Sequence, residues 1–214
     1  MKRLLPLMLA AGLSLPAWAL DEAGQARLHA VQTRWAEIQY QLPEPQREAA
    51  LEKLAADSAA FTREQPQAAE AWVWHGIVTS SWAGAQGGLG ALGKAKDAKA
   101  YLEKAIALDP AALQGSAYTS LGTLYDRVPG WPIGFGDEDK ADQLLRQALK
   151  VNPEGIDSLY FWGDHLLRQG HYAEAKAALE KAKQAAPRPG RELADSGRKG
   201  EIEQLLLEVN RKLN

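Results

Sequence analysis

The feature that most limits what this 214-residue chain can fold into is a recurring proline. Glu-Gln-Pro66, Leu-Asp-Pro110, Val-Asn-Pro153 and Ala-Ala-Pro187 each close an amphipathic stretch. Proline ends helices because it lacks the N–H that the helix needs. The last interval, Pro153 to Pro187, is 34 residues long. Inside it, Leu159 and Trp162-Gly163 precede Gly170, and Tyr172, Ala175, Leu179 and Ala182 follow. This pattern describes two antiparallel helices, A and B. Small Gly163 and Ala175 let them approach, and large Leu159, Trp162 and Leu179 fill the space around them.

A 34-residue helix–turn–helix period is that of the tetratricopeptide repeat, TPR. Two earlier stretches share it. One runs through Tyr118, Leu121-Gly122, Tyr125, Ala141, Leu145, Ala148 and Pro153. The other runs through Trp72, Gly76, Ala98, Leu102, Ala105 and Pro110, with His75 where Leu is usual. From the helix A glycine to the helix B alanine takes 12 residues in the third repeat, 19 in the second and 22 in the first. The second repeat therefore holds 7 extra residues and the first 10. Insertions at one place in a repeat map to one face, so both are expected to project from the same edge. No segment alternates like a strand. The predicted fold is all-α, a TPR-like right-handed solenoid of antiparallel helix pairs with inter-helix insertions. The expected organisation is a signal peptide over 1–19, a degenerate or capping helix pair over 20–66, three repeats over 67–187, and a loop with a capping helix over 188–214.

The signal peptide follows from Lys2-Arg3, an apolar run from Leu4 to Leu15, and the small-x-small Ala17-Trp18-Ala19. Cleavage is expected after Ala19, releasing a periplasmic or secreted protein. The apolar run is shorter than the roughly 20 residues that span a bilayer. With no cysteine there is no disulfide, thiol nucleophile or lipidated N-terminal cysteine, so no stable membrane anchor is expected. Removing Lys2 and Arg3 from the 25 basic residues leaves 23 against 27 acidic ones, a net charge of −4. Nucleic-acid binders usually show a basic face, and this balance argues against one.

Two insertions and one helix face hold the candidate binding residues. Gly88-Leu89-Gly90-Ala91-Leu92-Gly93-Lys94 matches glycine-rich phosphate loops. However, a helix precedes it where a strand is required, and Ala95 stands where a P-loop needs Ser or Thr. Lys94, with Lys96, leaves a simple anion site near the start of helix B as the alternative to a flexible connection. The second insertion carries Trp131 and Phe135 among prolines and glycines. Aromatics there either cover the stack edge or form a recognition rim. Repeat register puts Val73, Ile77, Ser80, Thr119, Thr123, Asp126, Tyr160, Asp164 and Leu167 on the inner face, with Arg127 and Arg168 one position on. Trp82 completes the candidate set. Arg188-Pro189-Gly190-Arg191, with Arg198, reads as a turn whose arginines pair with nearby acids, or as a dock for an acidic ligand. The four histidines, His29, His75, His165 and His171, show no metal-ligand spacing. No metal, cofactor or catalytic constellation is expected, so the chain reads as a non-enzyme.

GGLGALGKAKDAKAYLEKAIALDP, GSAYTSLGTLYDRVPGWPIGFGDEDKADQLLRQALKVNPEGIDSLYFWGD and PRPGRELADSGRK together cover most of the chain after Gln65. They resemble periplasmic TPR proteins related to the T-component of tripartite ATP-independent periplasmic (TRAP) transporters. Characterised T-components tend to be lipoproteins, and this chain lacks the cysteine for that. The resemblance implies a non-catalytic accessory of a solute uptake system, whose protein partner is a periplasmic solute-binding protein. The alternative is a small-molecule carrier with a pocket walled by the insertions, near Trp82, Trp131 and Tyr160. An enzyme is the third reading, and no motif favours it.

Overall fold

A computed structural model describes residues 20–214. The expected signal peptide, 1–19, lies outside the described residues. Nine helices follow one another, among the described residues: α1 (Glu22–Tyr40), α2 (Glu44–Glu64), α3 (Ala69–Gln86), α4 (Ala91–Leu108), α5 (Ala112–Arg127), α6 (Glu138–Val151), α7 (Ile156–Arg168), α8 (Tyr172–Lys183) and α9 (Glu192–Leu213). Local chemistry sets their ends. Asp21 caps α1 by accepting from the Gly24 N–H at 2.7 Å, and Asp137 caps α6 by accepting from the Lys140 N–H at 3.0 Å. Glu138 and Asp139 then place negative charge in the first turn of α6, where the helix dipole favours it.

The pairs α3–α4, α5–α6 and α7–α8 share one contact. A Cβ added at Gly76, Gly122 or Gly163 would lie 2.6, 2.9 or 2.7 Å from Leu102, Leu145 or Leu179 respectively. In each pair the leucine of the outer helix therefore rests on bare backbone of the inner one. Ala98, Ala141 and Ala175, all fully buried, bring the outer helix equally close. The pair α1–α2 packs ahead of them around fully buried Ile38, Leu51 and Phe61.

The inner helices α1, α3, α5, α7 and α9 each touch the next, and α9 also touches α1. The concave side of the stack is thus closed into a ring. Two ends of α9 do different work. Ile202 and Val209 complete the core of the α7–α8 pair, whereas Ala194 joins the core built on α1, α2 and α3. Tyr40, at the end of α1, lies flat against Gly197, where an added Cβ would sit 2.3 Å from its ring.

The two insertions part ways. The first does not project as a loop. It lengthens α3 and α4 to 18 residues each, with the turn compressed into Gly87-Gly88-Leu89-Gly90. Alanine, leucine and lysine favour helix, and the adjacent glycines at φ +64° and +61° supply the reversal. The second remains a loop, pinned by a bridge between Gly130 and Gly136. It lies beside the first, since Gly134 adjoins Leu92. At the start of α5, Leu113, Gln114 and Gly115 form a left-handed turn with φ of 47°, 57° and 76°. That conformation costs a non-glycine residue roughly 1–2 kcal/mol. No helix among the described residues is long and apolar enough to cross a membrane.

Gly197→Val is expected to separate α1 from α9 while leaving the repeats folded. Far-ultraviolet circular dichroism should be nearly unchanged, and the scattering radius of gyration should rise. Overpacking of this kind costs typically about 1–3 kcal/mol. An unchanged radius would show that the contact does not hold the ring shut.

Candidate functional site

The inner side of the stack holds a half-open pocket of about 790 Å³. Small-molecule sites usually measure roughly 300–1,000 Å³. One wall is aromatic. Trp35 and Trp74 meet edge to face at 5.8 Å, and the Trp35 indole N–H donates to Ser81 Oγ at 2.9 Å. Ser116, Thr119, Ser120 and Thr123 of α5 give a hydroxyl-rich wall opposite in character. The left-handed turn carries Leu113 and Gln114 to the boundary with a second hollow of about 370 Å³.

The remaining wall is cationic: Arg127, Arg168, Arg188, Arg191 and Arg198 all line the pocket. Four of these are bound to acids. Asp157, on α7, sits between two of them, accepting from Arg188 at 2.7 Å and from Arg198 Nε at 2.8 Å. Arg188 also holds Asp195 through its backbone N–H at 2.8 Å and its Nε at 2.7 Å. Arg198 reaches Glu201 at 2.5 Å and lies over the Tyr160 ring at 4.2 Å. Burial alone would raise the pKa of Asp157, but the two guanidiniums outweigh it and hold the carboxyl at about 2. At the other end, Arg127 pairs with Asp164, and Arg168 Nε lies 3.1 Å from Asp126. Asp126 also lies 2.7 Å from His165 Nδ1.

Of the residues singled out in the sequence, Arg127 and Arg168 reach the pocket, as do Ile77, Ser80, Thr119 and Thr123. Asp126 and Asp164 pair with those arginines and His165 bonds Asp126, locking α5 to α7. Arg198 of α9 lies over both Tyr160 and Phe161, at 4.2 and 4.7 Å, and of the two it is Phe161 that lines the pocket. Val73 is fully buried in the core and Leu167 is buried in the α7–α8 cluster. Lys94 lies over the Trp82 ring at 4.2 Å and donates to Gln86 at 2.7 Å, bracing the first hairpin outside the pocket. The insertion aromatics divide. Phe135 packs edge to face on Tyr125 at 5.4 Å, whereas Trp131 is 90% exposed. The pocket is therefore walled by inner helices and not by the insertions.

Sequence reasoning missed Trp35, Trp74 and Asp157. Each sits in an ordinary helical stripe, and only ring closure turns it inward. The basic segment after Pro187 did carry a signal: Arg188 and Arg198 both pair with acids and face the pocket. His75 is a separate matter. It is buried, 2.8 Å from Ser58 Oγ and stacked on Tyr101 at 4.2 Å. Burial, helped by Arg63, lowers its pKa to about 4. Among the described residues no group of three or more His, Asp or Glu is placed to hold a metal ion.

A model of the tetratricopeptide repeat matches residues 89–111 and 156–189, which hold α4 and the α7–α8 pair. Among solved structures, a thermophilic TPR protein from Thermus thermophilus is 19% identical, with a TM-score of 0.58 over 87% of this chain and 85% of that one. MamA is 18% identical, with a TM-score of 0.46 over 78% and 92%. A fragment of MamA from Desulfovibrio magneticus RS-1 is 14% identical, with a TM-score of 0.45 over 90% and 98%. No curated protein matches the sequence. The fold is an all-α TPR solenoid.

Two acid transitions are expected, each with its own residue. A buried neutral His75 stabilises fully above pH 6.5, and this is lost as pH falls through about 4 because the unfolded chain takes the proton first. The shift corresponds to roughly 3 kcal/mol. Asp157 stabilises fully above pH 3.8 and loses its contribution as pH falls through about 2. Urea melts across pH should show His75→Leu flattening the upper limb. Asp157→Asn should flatten the lower limb and cost less than the roughly 3–5 kcal/mol of a fully buried pair, since the Asp157 side chain is a third exposed. Parallel profiles for wild type and either variant would remove that residue from the account.

Proposed function

We propose that this TPR solenoid is a non-catalytic, extracytoplasmic binding protein that takes a small solute into the pocket its inner helices line. The observation that carries the reading is closure itself. An open TPR groove suits an extended peptide, whereas a stack with α9 seated on α1 leaves a half-open hollow of small-molecule size. The aromatic rings and hydroxyls that line it match the usual make-up of such sites, an apolar lining with a few polar groups. The signal-peptide pattern of residues 1–19 supports the extracytoplasmic placement.

A role beside a transporter is the second reading. The sequence resemblance to TRAP T-component relatives supports it, and so does the edge where the insertions meet. Leu89, Trp131 and Ile133 there are 82%, 90% and 60% exposed. Exposed apolar groups of this size mark contact surfaces. On this reading the edge docks a periplasmic solute-binding protein and the pocket holds the same solute.

Two measurements separate the readings. Protein incubated with a metabolite extract and passed through a sizing column should retain a small molecule, identified by mass spectrometry. Ser120→Trp, which fills the pocket from α5, should retain none. If wild type and variant retain the same compounds, or neither retains any, the pocket is not the site. Capture of a solute-binding protein by wild type and its loss in Trp131→Ala would establish the docking edge, and capture unaffected by Trp131→Ala would dismiss it.

A further inference from the structure

The cationic wall contains one member that the rest of the protein does not neutralise. Arg191 lines the pocket at the start of α9. Its guanidinium lies 5.0 Å from the Trp74 ring. Its Nε is buried and has no hydrogen-bond partner. The two acids nearest in the network are already taken: Asp157 by Arg188 and Arg198, and Asp195 by Arg188. Among the described residues no carboxylate stands within ion-pair distance of Arg191. The residue as a whole is only partly buried, so its terminal nitrogens keep access to the pocket while the Trp74 face supports the guanidinium from one side. Burial and the charge of Arg188 push the Arg191 pKa down.

Resting on the pocket reading, we propose that Arg191 is the anion-recognition residue of this pocket, and that the ligand is an amphipathic organic monoanion with its acidic group on Arg191 and its apolar body against Trp74 and Trp35. A single acidic group follows from the pairing, not from net charge. Arg127, Arg168, Arg188 and Arg198 each hold a carboxylate, and Arg191 is, among the described residues, the one arginine of the pocket left with its donors free. A guanidinium offers two parallel N–H donors to a carboxylate or sulfonate, and charge-assisted bonds of that kind are among the strongest available to a protein. Meanwhile Trp35 and Trp74, both buried but lining the pocket, supply its aromatic edge for the apolar part. Ser116, Ser120 and Thr123 also line the space and can meet neutral polar substituents. A cation gains nothing from Arg191, and an uncharged analogue leaves it unpaired as before.

The test uses two probes of one shape and different charge: anilinonaphthalene sulfonate, an anion, and its uncharged parent phenylnaphthylamine. Both brighten when transferred from water to an apolar site. The mature chain, residues 20–214, is titrated with each, as are Arg191→Met, Ser120→Trp, and Arg211→Met as an exposed control. The sulfonate should bind wild type and Arg211→Met more tightly than the parent does, by about tenfold or more, as expected for a hydrogen bond to a charged group. Arg191→Met should erase that preference and leave the parent unaffected. The same variant without probe should melt no lower than wild type, because it breaks no ion pair, removes one buried unpartnered N–H and keeps an apolar stem over Trp74. Equal affinity for both probes in wild type, both lost in Ser120→Trp, would overturn the anion assignment and keep the pocket. Failure of both probes to bind the pocket would overturn the two together. A lower melting temperature for Arg191→Met with its sulfonate preference intact would make Arg191 a structural cation and also overturn the proposal.

Discussion

One contact sets the geometry of everything else: a leucine of each outer helix lying on a glycine of its inner partner. Leu102 on Gly76, Leu145 on Gly122 and Leu179 on Gly163 fix the same close approach three times. Any side chain at those glycines would force the helices apart, and a looser pair could not stack regularly on the next. With the pair geometry repeated, successive inner helices line up and turn in the same sense. The curvature that brings α9 round to α1 is the accumulated result of these three contacts and the α1–α2 pair before them.

Closure then depends on the C-terminal helix serving two cores. Its second half completes the last repeat through Ile202 and Val209, as a capping helix should. Its first half passes beyond that duty. Ala194 enters the N-terminal core, and Gly197 makes room for Tyr40. The charges at this junction are not decoration. Asp157 ties Arg188 and Arg198 to α7, which fixes both the turn before α9 and the helix itself. A half-buried cluster of this sort contributes little net stability compared with apolar packing. Its value here is positional, because it holds the arginines against the aromatic rings at the pocket.

The candidate residues show where one-dimensional reasoning stopped. Register put Asp126 and Asp164 on the inner face, and the structure finds them there as partners of Arg168 and Arg127. Nothing in the spacing distinguishes an acid that will meet a ligand from one that will meet an arginine on the neighbouring helix. Tyr160 and Phe161 illustrate the same limit. Which of two adjacent aromatics lines the pocket depends on how α9 lies over both, and α9 lies about forty residues away in the chain. In the first insertion the length was read correctly but its form was not, because glycine concentrated the turn and left the rest free to be helix.

The sequence by itself determined the helical repeat: its 34-residue period, the Gly–Leu–Ala positions that pair the helices, and the sites of the two insertions. These are local patterns, repeated, so a single chain displays them without any knowledge of distant contacts. It also displayed the basic turn after Pro187, without saying which arginine would be left unpaired. Only the tertiary structure decided that the concave side is a ring and not an open groove. It also decided that Trp35 and Trp74 share a wall, and that Asp157 is spent on Arg188 and Arg198 while Arg191 has no acid. The physical reason is that closure is a sum of small rotations between pairs. The neutralisation of each charge is then a matter of distances of a few ångströms between helices far apart in sequence, and neither quantity is written in any one segment.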